Sequence, residues 1–289
     1  MDRFSDNPLN QAKTLLLATD GSRFSEGAVQ AAIFFSRACQ AKIFVLHVVP
    51  TTTESIGAAN LAVRQGWEEL APHFDHIRAM AQASGAEMEI VALGSSNLEK
   101  TLVEQARLRQ ADIILMGRHG VAGRWSRLVG KTTHRVIAEK FPRVMVVPKE
   151  FALTDMRVLV AVNDSPNSRQ AMIEALHMGH ICPTLREITV MSVAPRPERR
   201  RLSESLVDEF CRQARQMELP VPCTPLVEVG EPVRAIVTAA RERRIDMIVL
   251  GGPGKGKLTK MIKGDVAENI IGRGHCAMLV VTARDAAGA

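Results

Sequence analysis

The feature that most constrains this chain is a duplication. Residues 112–148 run DIILMGRHGVAGRWSRLVGKTTHRVIAEKFPRVMVVP, and residues 246–281 run DMIVLGGPGKGKLTKMIKGDVAENIIGRGHCAMLVV. Each begins with an aspartate and a short apolar run of buried-strand length, crosses a glycine-rich loop, enters a helical pattern and ends in a valine-rich strand. Gly117, Gly120 and Gly130 are separated by two and nine residues, and Gly251, Gly254 and Gly264 repeat that spacing. Upstream, LLLATDGSRFSEGAVQAA (15–32) matches VLVAVNDSPNSRQAMIEA (158–175). A chain with such an internal repeat is read as two copies of one unit, here 1–150 and 151–289. Glycines between a strand and a helix N-terminus suit phosphate, because backbone N–H groups can be approached closely and the first helical turn leaves donors unpaired.

Within each copy, apolar strand-length runs alternate with helical patterns. In the first copy, strands are expected at Thr14–Thr19, Lys42–Val49, Glu87–Leu93, Ile113–Met116 and Val144–Val147. Helices are expected from Ser22 or Ser25 (as N-cap) to about Cys39, through Trp67 to Ser84, over Leu98–Arg109 and from about Gly130; Thr51–Asn60 reads as a loop. In the second copy, strands are expected at Arg157–Val162, Glu187–Val193 and Thr224–Val229, and helices over Ser168–Gly179, Ser203–Met217 and Val233–Arg243. Alternation of this kind gives an α/β fold with a parallel sheet, right-handed crossovers and helices on both faces. The distance from Asp20 to Gly117 is 97 residues and from Asp164 to Gly251 is 87, so the second copy is shorter by ten, a loss placed before and within its second helix.

Composition narrows function by exclusion. No apolar run reaches the ~20 residues of a membrane-spanning helix, and the polar lead MDRFSDNPLNQAK lacks the apolar region of a signal peptide. Five cysteines without CxxC spacing point to reduced thiols and a cytoplasmic location, and make zinc an unfavoured reading. The net charge of +6 is spread evenly, with 18 basic and 15 acidic side chains in residues 1–150. The dense cluster Arg196, Arg199, Arg200 and Arg201 reads as a solvated loop beside a proline turn. With no tyrosine and 4% aromatics, platforms for stacking bases are scarce, so nucleic acid is not an expected partner.

The paired Gly-x2-Gly-x9-Gly elements, the Asp at the end of the first strand and the valine-rich last strand resemble the universal stress protein family, and two copies in one chain resemble its tandem members. The resemblance implies two doubly wound domains, each with a five-stranded parallel sheet in the order 3-2-1-4-5. It places a ligand cleft between strands 1 and 4, with Asp20 and Gly117 across it. It also implies an internal pseudo-dimer through the last strands, VMVVP and AMLVV, with a homodimer of chains left open. For the first copy it implies a site for ATP or a related adenine nucleotide, with or without Mg2+. There Asp20 meets the adenine or ribose edge, Val48 offers backbone to adenine and Thr19 lines the floor. Gly117 and Gly120 admit ribose and phosphate, and Gly130 and the following helix N-terminus meet the phosphates. Arg118, His119 and Arg124 add donors. Where the family has Ser or Thr after the last glycine this chain has Lys131, followed by Thr132 and Thr133, the latter at a second hydroxyl position of the motif. The alternative is that the glycines only make a tight turn and Asp20 only caps a helix.

The second copy keeps the skeleton and loses chemistry. Asp164 stands behind Asn163, and Asp265 follows Gly264, where a carboxylate satisfies the helix dipole itself and repels phosphate. Lys255, Lys257, Lys260 and Lys263 oppose that repulsion. Gly251-x4-Gly256-Lys257 approaches a P-loop, but Leu258 stands where Ser or Thr should hold magnesium. His177, His180 and Cys182 lack a fourth metal ligand, and His73 with His76 reads as a solvated helix face. No catalytic base or nucleophile stands out. The expected function is therefore regulatory: an ATP-binding stress-response protein coupled to an unidentified protein partner. The rival readings are a slow ATPase depending on Asp20 and His119, a scaffold that binds no nucleotide, and an apolar ligand held beside strands 1 and 2 of the second copy.

Overall fold

The computed structural model describes residues 12–51, 55–118, 130–151, 156–182, 184–253 and 266–283. The first half runs β1 (Thr14–Ala18), α1 (Glu26–Cys39), β2 (Lys42–Pro50), α2 (Ile56–Ser84), β3 (Met88–Ser95), α3 (Leu98–Leu108), β4 (Ile113–Gly117), α4 (Lys131–Ala138) and β5 (Arg143–Val147). The second half repeats it as β6 (Met156–Ala161), α5 (Pro166–Ile181), β7 (Leu185–Ala194), α6 (Arg200–Gln216), β8 (Cys223–Val229), α7 (Pro232–Glu242), β9 (Met247–Gly251), α8 (Val266–Arg273) and β10 (Ala277–Val281).

The strands form one ten-stranded sheet in the order β3-β2-β1-β4-β5-β10-β9-β6-β7-β8. Each half thus has the order 3-2-1-4-5, parallel throughout, and the halves join where β5 and β10 pair antiparallel, Met278 opposite Val146 and Val280 opposite Val144. Strands buried on both faces need apolar side chains pointing both ways. In β1, Leu15 and Leu17 enter the layer under α1, α2, α5 and α6, whereas Leu16 and Ala18 enter the layer under α3, α4, α7 and α8. The seam carries its own ion pair: Arg143 on β5 donates from Nε to Oε1 of Glu174 on α5 at 2.7 Å, both side chains almost fully buried.

Three expectations are corrected. Residues 56–60 are helical, because α2 starts at Ile56, and residues 52–54 lie outside the described residues. The arginine cluster is not a loop: Pro197–Arg199 is a turn of 3-10 helix running directly into α6, which begins at Arg200, three residues before the expected start. Ser25 sits at the N-cap of α1 but makes no side-chain capping bond: its backbone is already in the αR region rather than extended, and its hydroxyl oxygen accepts from Thr19 while its proton goes to the Ser22 carbonyl at 2.8 Å. The shortening of the second half does fall in its second helix, 17 residues in α6 against 29 in α2. No helix among the described residues is long and apolar enough to cross a membrane.

Candidate functional site

In an open parallel sheet the crevice lies beyond the carboxyl ends of neighbouring strands whose connections leave on opposite faces. β1 and β4 are such neighbours, with Ala18 opposite Met116; β1 leads to α1 on one face and β4 toward α4 on the other. Thr19 and Asp20 leave β1 at this point. The Asp20 carboxylate accepts the Ser22 N–H at 3.0 Å, making an Asx turn that keeps the side chain at the exposed rim. On β2, Val48 pairs with Leu93 and buries its side chain in the core, so toward a ligand it has only backbone to offer.

Gly117 ends β4 opposite Val147. Two hydrogen bonds draw together the flanks of the segment that follows: Gly130 N–H donates to the Arg118 carbonyl at 3.2 Å, and the buried Thr133 hydroxyl donates to the Gly117 carbonyl at 3.2 Å. Gly130 is the N-cap of α4 and brings no side-chain cap, the first turn holds no acidic residue, and Lys131 there is exposed. That end of α4 suits an anion. Thr132 is half-buried beside it. Arg118 runs elsewhere: its Nη1 donates to the Gly274 carbonyl in the turn between α8 and β10, and burial pulls its pKa down. His119, Gly120, Gly123 and Arg124 lie outside the described residues. The structure therefore brings Thr19, Asp20, Val48, Gly117, Gly130, Lys131, Thr132 and Thr133 to one end of the β2-β1-β4 strands, while committing the Arg118 guanidinium and the Thr133 hydroxyl to protein carbonyls.

The residue that sequence reasoning misplaced is His73. It is no solvated helix face: half-buried on α2, it puts Nε2 2.9 Å from Thr19 Oγ1, while His47 Nδ1 lies 3.0 Å from the Thr19 carbonyl oxygen. Burial chiefly, with like charge from His76 and His47, lowers the His73 pKa against the opposing pull of Glu26 and Asp20. His76 does face solvent, 3.6 Å from Glu26.

The second crevice is built differently. The Asx turn recurs with Asn163 as its acceptor, Ser165 N–H to Oδ1 at 2.9 Å, so Asn163 and not Asp164 occupies the place of Asp20. Asn167, at the repeat position of Phe24, is buried and spans three segments. Its Nδ2 donates to the carbonyls of Gly252 at 2.7 Å and Pro253 at 3.2 Å, and its Oδ1 accepts the Ala283 N–H at 2.9 Å. A Cβ on Gly251 would stand 2.6 Å from the Ser168 nitrogen, so α5 presses its first turn against the end of β9. The first turn of α8 carries Glu268, which meets His134 of α4 at 2.9 Å. Gly254, Gly264, Asp265 and the lysines between them lie outside the described residues.

Other chemistry is thin. No group of three His, Cys, Asp or Glu side chains that could hold a metal exists among the described residues, which includes His177, His180 and Cys182. The cysteines are free thiols, and burial pushes Cys39 and Cys223 up to about 11 and Cys276 to about 12, far from a reactive thiolate. A groove of about 880 Å³ lies between α6 and β8, lined by charged residues such as Arg212, Arg215 and Asp208. Its lining is mixed, with Leu219, Val221 and Pro225 beside those charges, and it includes no residue of β6 or β7, where the apolar-ligand reading requires it.

Fold and crevice define a tandem doubly wound α/β protein whose glycine-bearing turns sit at the switch points of its sheet. The chain belongs to the universal stress protein family, whose sequence model matches it twice, over residues 11–148 and 156–282. It is 26% identical over 136 residues to a universal stress protein of Thermus aquaticus, covering 47% of this chain and 98% of that protein. It is 42% identical over 52 residues to one of Methanocaldococcus jannaschii, a match spanning 18% of this chain and only 31% of that relative. Among solved structures, a universal stress protein of Archaeoglobus fulgidus superposes with a TM-score of 0.72 at 20% identity, covering 93% of this chain and 98% of that one. A functionally unknown protein of Pseudomonas aeruginosa gives 0.63 at 15% identity, with 95% and 94% coverage.

Proposed function

We propose that this chain is a stress-response regulator of two domains, 1–150 and 151–289, that binds ATP or a related adenine nucleotide in the first crevice alone. The observation that carries the reading is the asymmetry between two crevices on one scaffold. At the first, a rim carboxylate stands at the same end of the sheet as a helix N-terminus that has no side-chain cap, no acid in its first turn and an exposed lysine. At the second, an asparagine stands in place of that carboxylate, Asn167 ties the strand ends together and Glu268 occupies the first turn of α8. Adenine would lie toward Asp20 and the Val48 backbone, with phosphates at Gly117, Gly120, Gly130 and Lys131. Magnesium would arrive with the phosphates, since it binds through one or two protein ligands and phosphate oxygens and needs no dedicated protein cage. In this reading Arg118 shapes the turn from the far side, and Thr133 acts on the phosphate site through Gly117.

One observation favours a second reading, a scaffold without nucleotide: the Arg118 guanidinium and the Thr133 hydroxyl, both assigned to ligand by family resemblance, are engaged with protein. Calorimetric titration of the full chain with ATP and magnesium, beside Asp20→Ala and Gly117→Val, separates the two. About one site per chain, lost in both variants, is the expected result. Two sites would overturn the asymmetry. No heat, together with a melting temperature unmoved by ATP, would overturn nucleotide binding altogether.

A further inference from the structure

We propose that His73 is a positioning residue of the first crevice: from α2 it fixes Thr19, and through it the Asp20 turn, in the orientation that receives a nucleotide. The inference rests on the nucleotide reading and adds to it a residue from a helix outside the glycine motif and the first-strand aspartate.

The protons around one hydroxyl fix the tautomer of His73. Thr19 Oγ1 accepts the Gly21 N–H at 3.1 Å and donates its own proton to Ser25 Oγ at 3.0 Å, and Ser25 in turn donates to the Ser22 carbonyl. With one lone pair and the only proton spent, Thr19 can meet His73 Nε2 only as an acceptor, so His73 carries hydrogen on Nε2. The Thr19 carbonyl only accepts, so His47 carries hydrogen on Nδ1. Thr19 is thereby saturated: Gly21, Ser25 and His73 engage its hydroxyl, His47 its carbonyl and the Leu46 carbonyl its N–H, so the hydroxyl has little left to offer a ligand. Its role moves from lining the floor to holding the turn.

The donor is itself held rigidly. Phe74, next to His73, is fully buried against Trp67, with ring centroids 4.9 Å apart. Leu70, one turn earlier, closes on Gly21, where a Cβ would come within 2.2 Å of its Cδ2 and the backbone has φ of +74°. Leu70 and His73 therefore bear on the same turn from one face of α2.

The second half serves as an internal control. There Val162 replaces Thr19, Asp164 replaces Gly21 and Ser192 stands at the position of His47, yet the Asx turn still forms. The turn does not need the histidine network in order to fold. What the first half gains from the network is a fixed orientation, and it gains it only at the crevice with the rim carboxylate.

The test uses the full chain and titrates ATP with magnesium into wild type, His73→Phe, His73→Gln, Thr19→Val and Thr19→Val/His73→Phe, with melting temperatures recorded throughout. Loss of one positioning hydrogen bond is expected to weaken ATP by about tenfold in His73→Phe. His73→Gln, which restores an N–H donor, should recover affinity to within about threefold, a rescue that a merely space-filling role would not give. The double variant should be no weaker than Thr19→Val alone, because that substitution already removes the His73 bond together with the hydroxyl's bonds to Gly21 and Ser25. Nitrogen NMR of the imidazole should show hydrogen on Nε2 of His73. ATP binding in wild type that is undiminished in His73→Phe, or equally reduced in Phe and Gln, overturns this inference and leaves the nucleotide reading standing. No ATP binding by wild type overturns the nucleotide reading and this inference with it.

Discussion

Glu174→Ala tests how the two halves are held together. Arg143 and Glu174 belong to different halves and are 4% and 1% exposed. At the observed 2.7 Å and an effective dielectric near 20, their gross attraction is about 6 kcal/mol, most of it offset by the cost of removing both charges from water. The intact pair is therefore worth little against a well-packed apolar pair. Removing the carboxylate alone leaves a guanidinium in the core, which costs about 3–5 kcal/mol. With an unfolding entropy of about 2.1 cal/mol/K per residue over 289 residues, 1 kcal/mol corresponds to roughly 1.6 °C if the continuous sheet melts as one unit. Glu174→Ala should then lower the melting temperature by about 5–8 °C. Arg143→Met/Glu174→Leu, which fills the same volume without charge, should lie within about 2 °C of wild type or above it. Calorimetric melts of the three proteins decide it. A Glu174→Ala protein within about 1 kcal/mol of wild type, or a double variant as unstable as the single one, would refute the reasoning.

Two further outcomes follow. His73 is depressed below its ordinary value, so protonation favours the unfolded chain, and stability present above pH 6.5 is lost as pH falls through the lower folded value. Urea midpoints at pH 7.5 and 5.5 should differ less in His73→Gln than in wild type, and an unchanged difference would discount the effect. Gly27→Ala should destabilise although alanine is the better helix former by about 1 kcal/mol, because its Cβ would stand 1.9 Å from the Pro148 carbonyl oxygen and push α1 off the end of β5. A net loss of about 2 kcal/mol by denaturant unfolding is expected, and a gain would show that α1 shifts freely.

Much of the fold was legible in the chain itself, because its signals are local and periodic. Strand-length apolar runs, helix-period segments and turn glycines recur within tens of residues, and the duplication states each of them twice. Asp20 and Gly117 could be placed across one crevice because strand order follows from the family pattern. Helix ends were less legible: α2 begins inside what reads as a polar loop, and α6 begins inside the arginine cluster, since small polar and charged residues do not forbid helix.

The character of the site was decided by contacts that carry no sequence signature. His73 reaches Thr19 across 54 residues, Arg118 turns to Gly274 across 156, and Asn167 holds Ala283 across 116. A histidine on a helix looks the same in sequence whether it faces water or a threonine hydroxyl. An arginine after a glycine looks ready for phosphate whether or not a carbonyl in the other half has claimed it. By itself the sequence determined the repeated α/β halves and the glycines, Gly117 and Gly251, that end β4 and β9, because periodicity and backbone freedom are local properties. Tertiary structure alone decided which polar groups are spent on the protein and which buried ion pair crosses the seam between β5 and α5, because hydrogen-bond partners and burial exist only once distant segments are packed together.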